Sequence, residues 1–418
     1  MGQTLANADA VLKDDYQGPV NEQLNNANVL LAEVERNTKD FTGRRALLPL
    51  HVGRNKGVGN RAERGTLPTP GNQQYDDIFI PVRYSYVRIS LTGPVIEQMA
   101  KSRGSFIRAI DSEMDGAVTD AKRDYTRQLW GTSDGVLATC GTTTDANEVV
   151  LASTTPQHQL EWLYEGFAVD IGTTGDSDTV AAAREVLDVD FDAKTITIDG
   201  DAITTTGSHI VSRAGAYGVS TNTGNPGDGQ IELTGIQTMV SDTTTLHTLA
   251  PATEPRWKSQ VYANSGTLRG ISENLVSRAL MTGEKRSGKI VKLLACNDGV
   301  HRTYTTQLNA LRRMMNPVEL KGGYEGITVS VPKGGRNGSS TTALVWDRDC
   351  PSNSIYGLST DDLVFYDLVD WEWDDRTGSI WERIGDTDDF VATMRRYGEF
   401  ACRRRNSHFV IKDIREDA

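Results

Sequence analysis

Long apolar runs are absent from this chain: no stretch approaches the roughly 20 consecutive nonpolar residues of a membrane-spanning helix. Cysteine is scarce as well. Cys140, Cys296, Cys350 and Cys402 stand far apart and make no CxxC pair. That excludes a disulfide framework or cysteine zinc site and suits folding in a reducing cytoplasm. The opening MGQTLANADAVLKDDYQ lacks the basic start and apolar block of a signal peptide. Ala6 stands where a myristoylation signal has Ser or Thr. Positive charge is outnumbered, and a net charge of −12 excludes a protein that grips nucleic acid over its whole surface.

Catalytic patterns are missing too. The six histidines are scattered, with no HExxH and no GxSxG elbow. Residues 283–289 (GEKRSGK) match GxxxxGK, but Ile290 follows where a phosphate loop needs Ser or Thr for magnesium. A helix is predicted before this run and a strand after it, the reverse of a phosphate loop. Asp188, Asp190 and Asp192 imitate the start of a calcium loop, but Ala193 replaces the required Gly and Asp199 the bidentate Glu. Alternating Asp on the wet face of a strand accounts for them better. Asp374/Asp375 and Asp388/Asp389 sit beside turns, and Trp371/Trp373 read as packing on alternate strand positions. No catalytic residue, cofactor or metal is expected.

What is present is glycine, 40 residues of it, and one organising stretch from 47 to 130. It begins with a glycine-punctuated loop, residues 53–65 (GRNKGVGNRAERG), closed by Pro68 and Pro70. Over 41–64 the charge reverses: Arg44, Arg45, Arg54, Lys56, Arg61 and Arg64 face only Glu63. Such a segment reads either as a basic arm lying on an acidic neighbour or phosphate, or as a solvated loop. No aromatic is interleaved with these cations, unlike a single-strand nucleic-acid groove. Ile78, Ile80, Val82, Tyr84 and Tyr86 then alternate along a strand, with Pro81 marking an edge. Ile107, Ile110, Met114, Val118, Ala121, Tyr125 and Leu129 recur at helical spacing up to Gly131. A helix of about 26 residues would be ~39 Å long. A loop and helix of this length suggest a chain that reaches beyond its own domain.

The rest alternates in type. A narrow apolar stripe over 18–36 predicts a helical arm that packs on something else. Residues 149–217 read as a small antiparallel barrel or sheet, from Phe167, Val169 and Ile171 through Ile196 and Ile198. From 256 onward the pattern is α/β: a helix through Leu268, Ile271, Leu275 and Ala279, a buried strand at 290–296, and a helix through Val300, Tyr304, Leu308, Leu311 and Met315 capped by Asp298. Strands are predicted around 327–331, 343–346, 355–358 and 363–368, with a last extended run at 407–414.

The order of these parts resembles the major capsid proteins of tailed bacteriophages. The segments that carry the resemblance are VNEQLNNANVLLAEVER (20–36), HVGRNKGVGNRAERGTLPTPGNQQY (51–75) and GSFIRAIDSEMDGAVTDAKRDYTRQLWG (104–131), then TLHTLAPATEPRWKS (245–259), LKGGYEGITVSVPK (320–333), DRDCPSNSIYGLSTDDL (347–363) and RRRNSHFVIKDI (403–414). The resemblance implies an α+β capsid fold with an N-terminal arm (1–45), an extended β-hairpin loop (46–92), a peripheral domain (93–156) with a spine helix at 105–130, an inserted β-rich domain (157–217), a mainly axial domain (218–347) and, over 348–418, returning peripheral strands and a C-terminal axial strand. It implies a coat protein that self-assembles through hexamers and pentamers into an icosahedral head around double-stranded DNA, located in the virion and assembled in the host bacterial cytoplasm. Implied partners are a separate scaffolding protein, a portal, and a maturation protease or decoration protein, with packaged DNA touched weakly and without sequence preference. Arg44, Arg45, Arg54, Lys56, Arg61, Arg64 and Tyr75 are the implied inter-subunit contacts. Some relatives join the loop lysine covalently to a neighbour's asparagine; Lys56 is the only lysine of this loop and Asn406 lies in the C-terminal region. The acceptor and its assisting carboxylate do not align residue by residue, so non-covalent contacts or a decorating protein are expected instead. Two alternatives stay open: an encapsulin-like compartment sharing the fold, and a nucleotide-binding enzyme using 283–289.

Overall fold

The computed structural model describes residues 29–37, 45–94, 103–173, 179–216, 231–310, 317–319, 325–332, 339–376, 378–385 and 387–416. Two strands, β1 (Arg45–Gly53) and β2 (Gln74–Pro81), form an isolated antiparallel hairpin from Arg45↔Pro81 to Gly53↔Gln74, with a register shift near His51. β3 (Arg83–Thr92) alternates half-buried and exposed residues along its whole length and pairs with Asp389–Cys402. The long helix α1 spans Arg103–Trp130. The helix predicted over 18–36 is corrected: it is seen at Val29–Glu33 and gives way to a strand, Glu35–Asn37, parallel to Leu363–Trp373. That ladder, with Arg36 on Asp370 at 3.2 Å, supplies partners that local periodicity cannot anticipate. Residues 18–28 of that prediction lie outside the described residues.

Contacts divide the described chain into two units. The smaller comprises 86–123 and 372–395. In it Trp381–Arg383 pairs with Asp389–Cys402, and Arg395 binds Glu372 at 2.6 Å and Asp374 at 3.1 Å.

The larger unit contains the two main sheets. A six-stranded sheet runs in the order Val136–Thr139, His209–Arg213, Ala168–Thr173, Thr179–Asp190, Thr195–Ile198, Glu148–Val150. The β-rich region thus begins before 157: its flanking strands are three or four residues long, too short to show a period. Val169, Ile171, Ile196 and Ile198 are buried as their alternation predicts. Asp190 closes a turn, accepting from the N–H groups of Asp192 (2.9 Å) and Ala193 (2.8 Å).

The seven-stranded sheet has the order Gln260–Tyr262, Phe409–Ile411, Ile355–Leu358, Leu293–Cys296, Ser339–Trp346, Glu325–Pro332, Pro317–Glu319. Two helices accompany it, α2 (Glu273–Ser287) and α3 (Asp298–Ala310), which pack Val276, Ala279, Val300 and Tyr304 against Leu294, Phe409 and Ile411. Two details differ from expectation. Leu268 precedes α2 and is 44% exposed, because Ser272 caps the helix with its hydroxyl on the Leu275 N–H. Asn297, not Asp298, caps α3, accepting from Gly299 N–H at 3.0 Å, while Asp298 becomes the first helical residue. Leu311 and Met315 lie outside the described residues.

The last turns of α1 are buried on every side, from Tyr125 to Trp130. Polar residues there are paired in turn: Arg127 binds Glu232 and Asp124, and Arg213 also reaches Asp124. Burial pushes the Asp124 carboxyl up, but Arg127 and Arg213 outweigh it and hold the group below its ordinary value. Segment 231–240 is fastened along this end of the helix by Leu233 N–H to Gln128 (3.2 Å), Gly235 N–H to Ser133 (2.9 Å) and Gln237 to the Trp130 carbonyl (2.7 Å). Arg405, fully buried, donates to the carbonyls of Thr238, Met239 and Thr244.

Candidate assembly surface

The β1–β2 hairpin is anchored at its base and free at its tip. Ala46 and Ile80 pack with Val364, Tyr366 and Ala401, and Ile78 is buried in the main core. Phe79 donates its N–H to the His247 carbonyl at 3.3 Å, and Arg256 binds the Val52 carbonyl. Toward the tip, exposure rises to 66% at Tyr75, 81% at Leu67 and 85% at Val58. A two-stranded ribbon cannot form a core of its own; its base packs Ala46, Ile78 and Ile80 inward, whereas the tip packs on nothing among the described residues.

The tip nevertheless has a defined shape. Asn55 Oδ1 accepts from Gly57 N–H at 2.7 Å. A Cβ on Gly71 would lie 2.9 Å from both Asn55 Oδ1 and Lys56 N, so the two limbs close only because this residue is glycine. Arg61 curls back onto its own loop, donating to the carbonyls of Thr66 (2.9 Å) and Asn60 (3.0 Å). Arg64 takes a left-handed φ of 61°, and Gly65 N–H closes the turn on Ala62.

The implied contact residues therefore separate by role. Arg54, Lys56 and Arg64 are exposed and make no ion pair among the described residues. Arg61 is spent on the turn itself. Tyr75 leans on His51, ring to ring at 5.3 Å, and Arg45 lies over Phe79 at 4.3 Å, both within the hairpin. Arg44 lies outside the described residues. Lys56 is exposed at the tip, whereas Asn406 is half-buried in the turn Arg405–Ser407, and no contact among the described residues brings them together. Val58 and Leu67, the most exposed apolar residues of the tip, were missed; their isolation among polar neighbours was the available signal.

Reactive side chains are withdrawn from solvent. All four cysteines are buried, and burial pushes the thiols of Cys140, Cys296, Cys350 and Cys402 up. Ser359, Asp362 and His408 are residue types of a hydrolase triad, but all are buried, and His408 Nδ1 accepts from the Ser359 backbone N–H at 3.2 Å. Residues 283–289 form the end of α2: Gly288 is left-handed at φ 70° and its N–H caps the Glu284 carbonyl. A helix end that presents carbonyls is of the wrong polarity to cradle phosphate on backbone N–H groups.

No protein-family model matches the chain, and no curated protein does. Among solved structures it is similar to a chain of the cyanophage A-1(L) capsid asymmetric unit, at 14% identity, a TM-score of 0.51, and 99% of each chain covered. It is also similar to a capsid chain of the native GTA particle (9%, TM-score 0.49, 99% of each) and to the SrpI encapsulin of Synechococcus elongatus PCC 7942 (7%, TM-score 0.45, 100% of this chain and 99% of that one). The α+β fold expected from the sequence, that of the tailed-phage capsid subunit, is the fold observed.

Proposed function

We propose that this chain is the major capsid protein of a tailed bacteriophage, assembling into the icosahedral shell that encloses the phage's double-stranded DNA. One observation supports it above the others. On a capsid-subunit fold, a hairpin fixed at its base ends in a shaped tip whose Val58, Leu67, Arg54, Lys56 and Arg64 are left exposed by the described residues of their own subunit. A second copy is the natural cover, since a closed shell repeats the same contact between neighbours.

In this reading β1 and β2 are the extended loop, α1 is the spine, the six-stranded sheet is the inserted domain and the seven-stranded sheet is the axial domain. Arg45, Arg54, Lys56, Arg61, Arg64 and Tyr75 face the neighbouring subunit, Arg61 by shaping the tip. Scaffolding, portal and either maturation or decoration proteins are the remaining partners, and the virion, built in the host cytoplasm, is the location.

Negative-stain electron microscopy of the purified protein, alone and co-expressed with a scaffolding protein, tests this directly. Closed uniform shells are expected. Replacing 54–73 by a two-residue Asn-Gly turn should leave a folded subunit that closes none. Normal shells from that variant, or monomers alone under every condition, would sink the reading.

A further inference from the structure

The carboxyl end of α2 gathers cations whose charge no carboxylate balances among the described residues. Lys285 and Arg286 lie in its last turn and are exposed, Lys289 follows directly and is half-buried, and exposed Arg404 is tied to the same end by its guanidinium on the Ser287 carbonyl at 3.2 Å. Lys292 is also exposed, but Asp361 neutralises it at 2.6 Å. Lys285, Arg286, Lys289 and Arg404 make no ion pair among the described residues.

Helix capping does not explain them. The terminal carbonyls already have donors: Ser287 Oγ on Gly283, Gly288 N–H on Glu284, and Arg404 on Ser287. The helix end carries only about half a negative charge, and with Glu284 it still does not balance Lys285, Arg286 and Lys289, within two residues of Ser287 in sequence, together with Arg404 on the Ser287 carbonyl. The patch is thus a local positive field on a chain of net charge −12.

We propose that this end of α2, with Arg404, docks the phosphate backbone of duplex DNA, an inference that rests on the coat-protein reading above. Two features favour phosphate over an acidic protein. Lysine is depleted at protein–protein interfaces, yet supplies two of the four cations here. No aromatic residue accompanies them between 281 and 292 to anchor a protein partner. With phosphate, weak binding without sequence preference follows from charge alone, as a shell that must later release its DNA requires. The GxxxxGK run is then a site for phosphate after all, through side-chain charge and not through a nucleotide-binding loop.

The test is fluorescence anisotropy of the full-length protein with a labelled 30-base-pair duplex between 50 and 200 mM salt. Four phosphate contacts give a slope of log K against log salt near −3.6. Lys285→Gln, Arg286→Gln and Lys289→Gln together should reduce its magnitude by about 2.7. Arg54→Gln, Lys56→Gln and Arg64→Gln at the hairpin tip should change it by less than about 1. An unchanged slope in the α2 variant, with its circular dichroism intact, overturns the proposal. So does an equal loss of slope in the hairpin-tip variant, which would place the duplex elsewhere than on the end of α2. Shell formation by the wild type, scored in parallel by electron microscopy, tests the coat reading by itself, so the two can fail separately.

Discussion

Asp347 is 5% exposed, and burial, helped by Asp349, pushes its carboxyl up from 3.8 to about 7 despite Arg348 and a hydrogen bond from the Asp349 N–H. Between those two values the folded state holds a proton that the unfolded chain has released, so this group makes stability fall as pH rises from about 4 to about 7. The cost above pH 7 is at most roughly 4 kcal/mol. Asp347→Asn should therefore raise the melting temperature at pH 8 and converge on the wild type toward pH 4.5; an equal loss at both pH values would refute the burial argument. His158, His247 and His408, which burial lowers to about 4, 3 and 4, act in the opposite sense. They stay neutral when folded, so their contribution is lost as pH falls below about 6.5. Arg396 and Asp367 are each 1% exposed and joined at 2.6 and 2.9 Å, with the guanidinium over the Tyr125 ring at 4.3 Å. Arg396→Ala leaves a buried carboxylate alone and should cost about 3–5 kcal/mol in urea unfolding. The double change Arg396→Met with Asp367→Leu should recover most of it, because the pair's Coulomb gain only roughly offsets its desolvation.

Segment 231–240 and the end of α1 stand or fall as one element. A Cβ on Gly235 would meet the Gly131 carbonyl oxygen at 2.0 Å and the Gln128 carbonyl oxygen at 2.9 Å, both backbone atoms that cannot swing aside. Gly235→Ala should therefore destabilise by about 3 kcal/mol or more, or yield insoluble protein. A melting temperature within a degree of wild type would mean the two backbones are not in register. Elements differ sharply in how far their sequence revealed them. The spine helix was legible because its middle has one apolar face, and Ala121, Tyr125 and Leu129 are buried where the period put them. Its end was not: Thr126, Arg127 and Gln128 are buried too, and their partners Glu232 and Leu233 lie 105 residues away. Periodicity reports which side chains avoid water and is silent on polar groups buried in pairs. Periodicity alone reads 47–91 as a basic loop followed by one strand, because β1 carries Pro49; the hairpin came from the family resemblance, and its register is visible only in the pairing of β1 with β2. Ile355–Leu358, expected among returning strands, lies inside the seven-stranded sheet; strand order is set by long-range contacts that no local window contains.

At the scale of the whole molecule, charge is distributed against itself. The chain is net −12, yet the tip from 54 to 73 carries Arg54, Lys56, Arg61 and Arg64 against Glu63 alone. Copies of an acidic protein repel one another, so in the proposed shell a tip of opposite sign would be the part of each subunit that approaches a neighbour most easily. Contacts of this exposed kind are screened over about 10 Å at 0.1 M salt, and the attraction adds more to the rate of encounter than to final stability. Arg54→Glu, Lys56→Glu and Arg64→Glu reverse the three cations left free by the fold while sparing Arg61, whose bonds to Asn60 and Thr66 keep the tip in shape. The subunit should melt as wild type does, since exposed charges contribute little to its stability. Assembly followed by light scattering should slow at least tenfold at 50 mM salt, with the difference shrinking as salt is raised and both proteins are screened. Unaltered kinetics at low salt would show that Val58 and Leu67, not charge, bring the tip onto its neighbour, and the double change Val58→Ser with Leu67→Ser would then be the variant that stops closure.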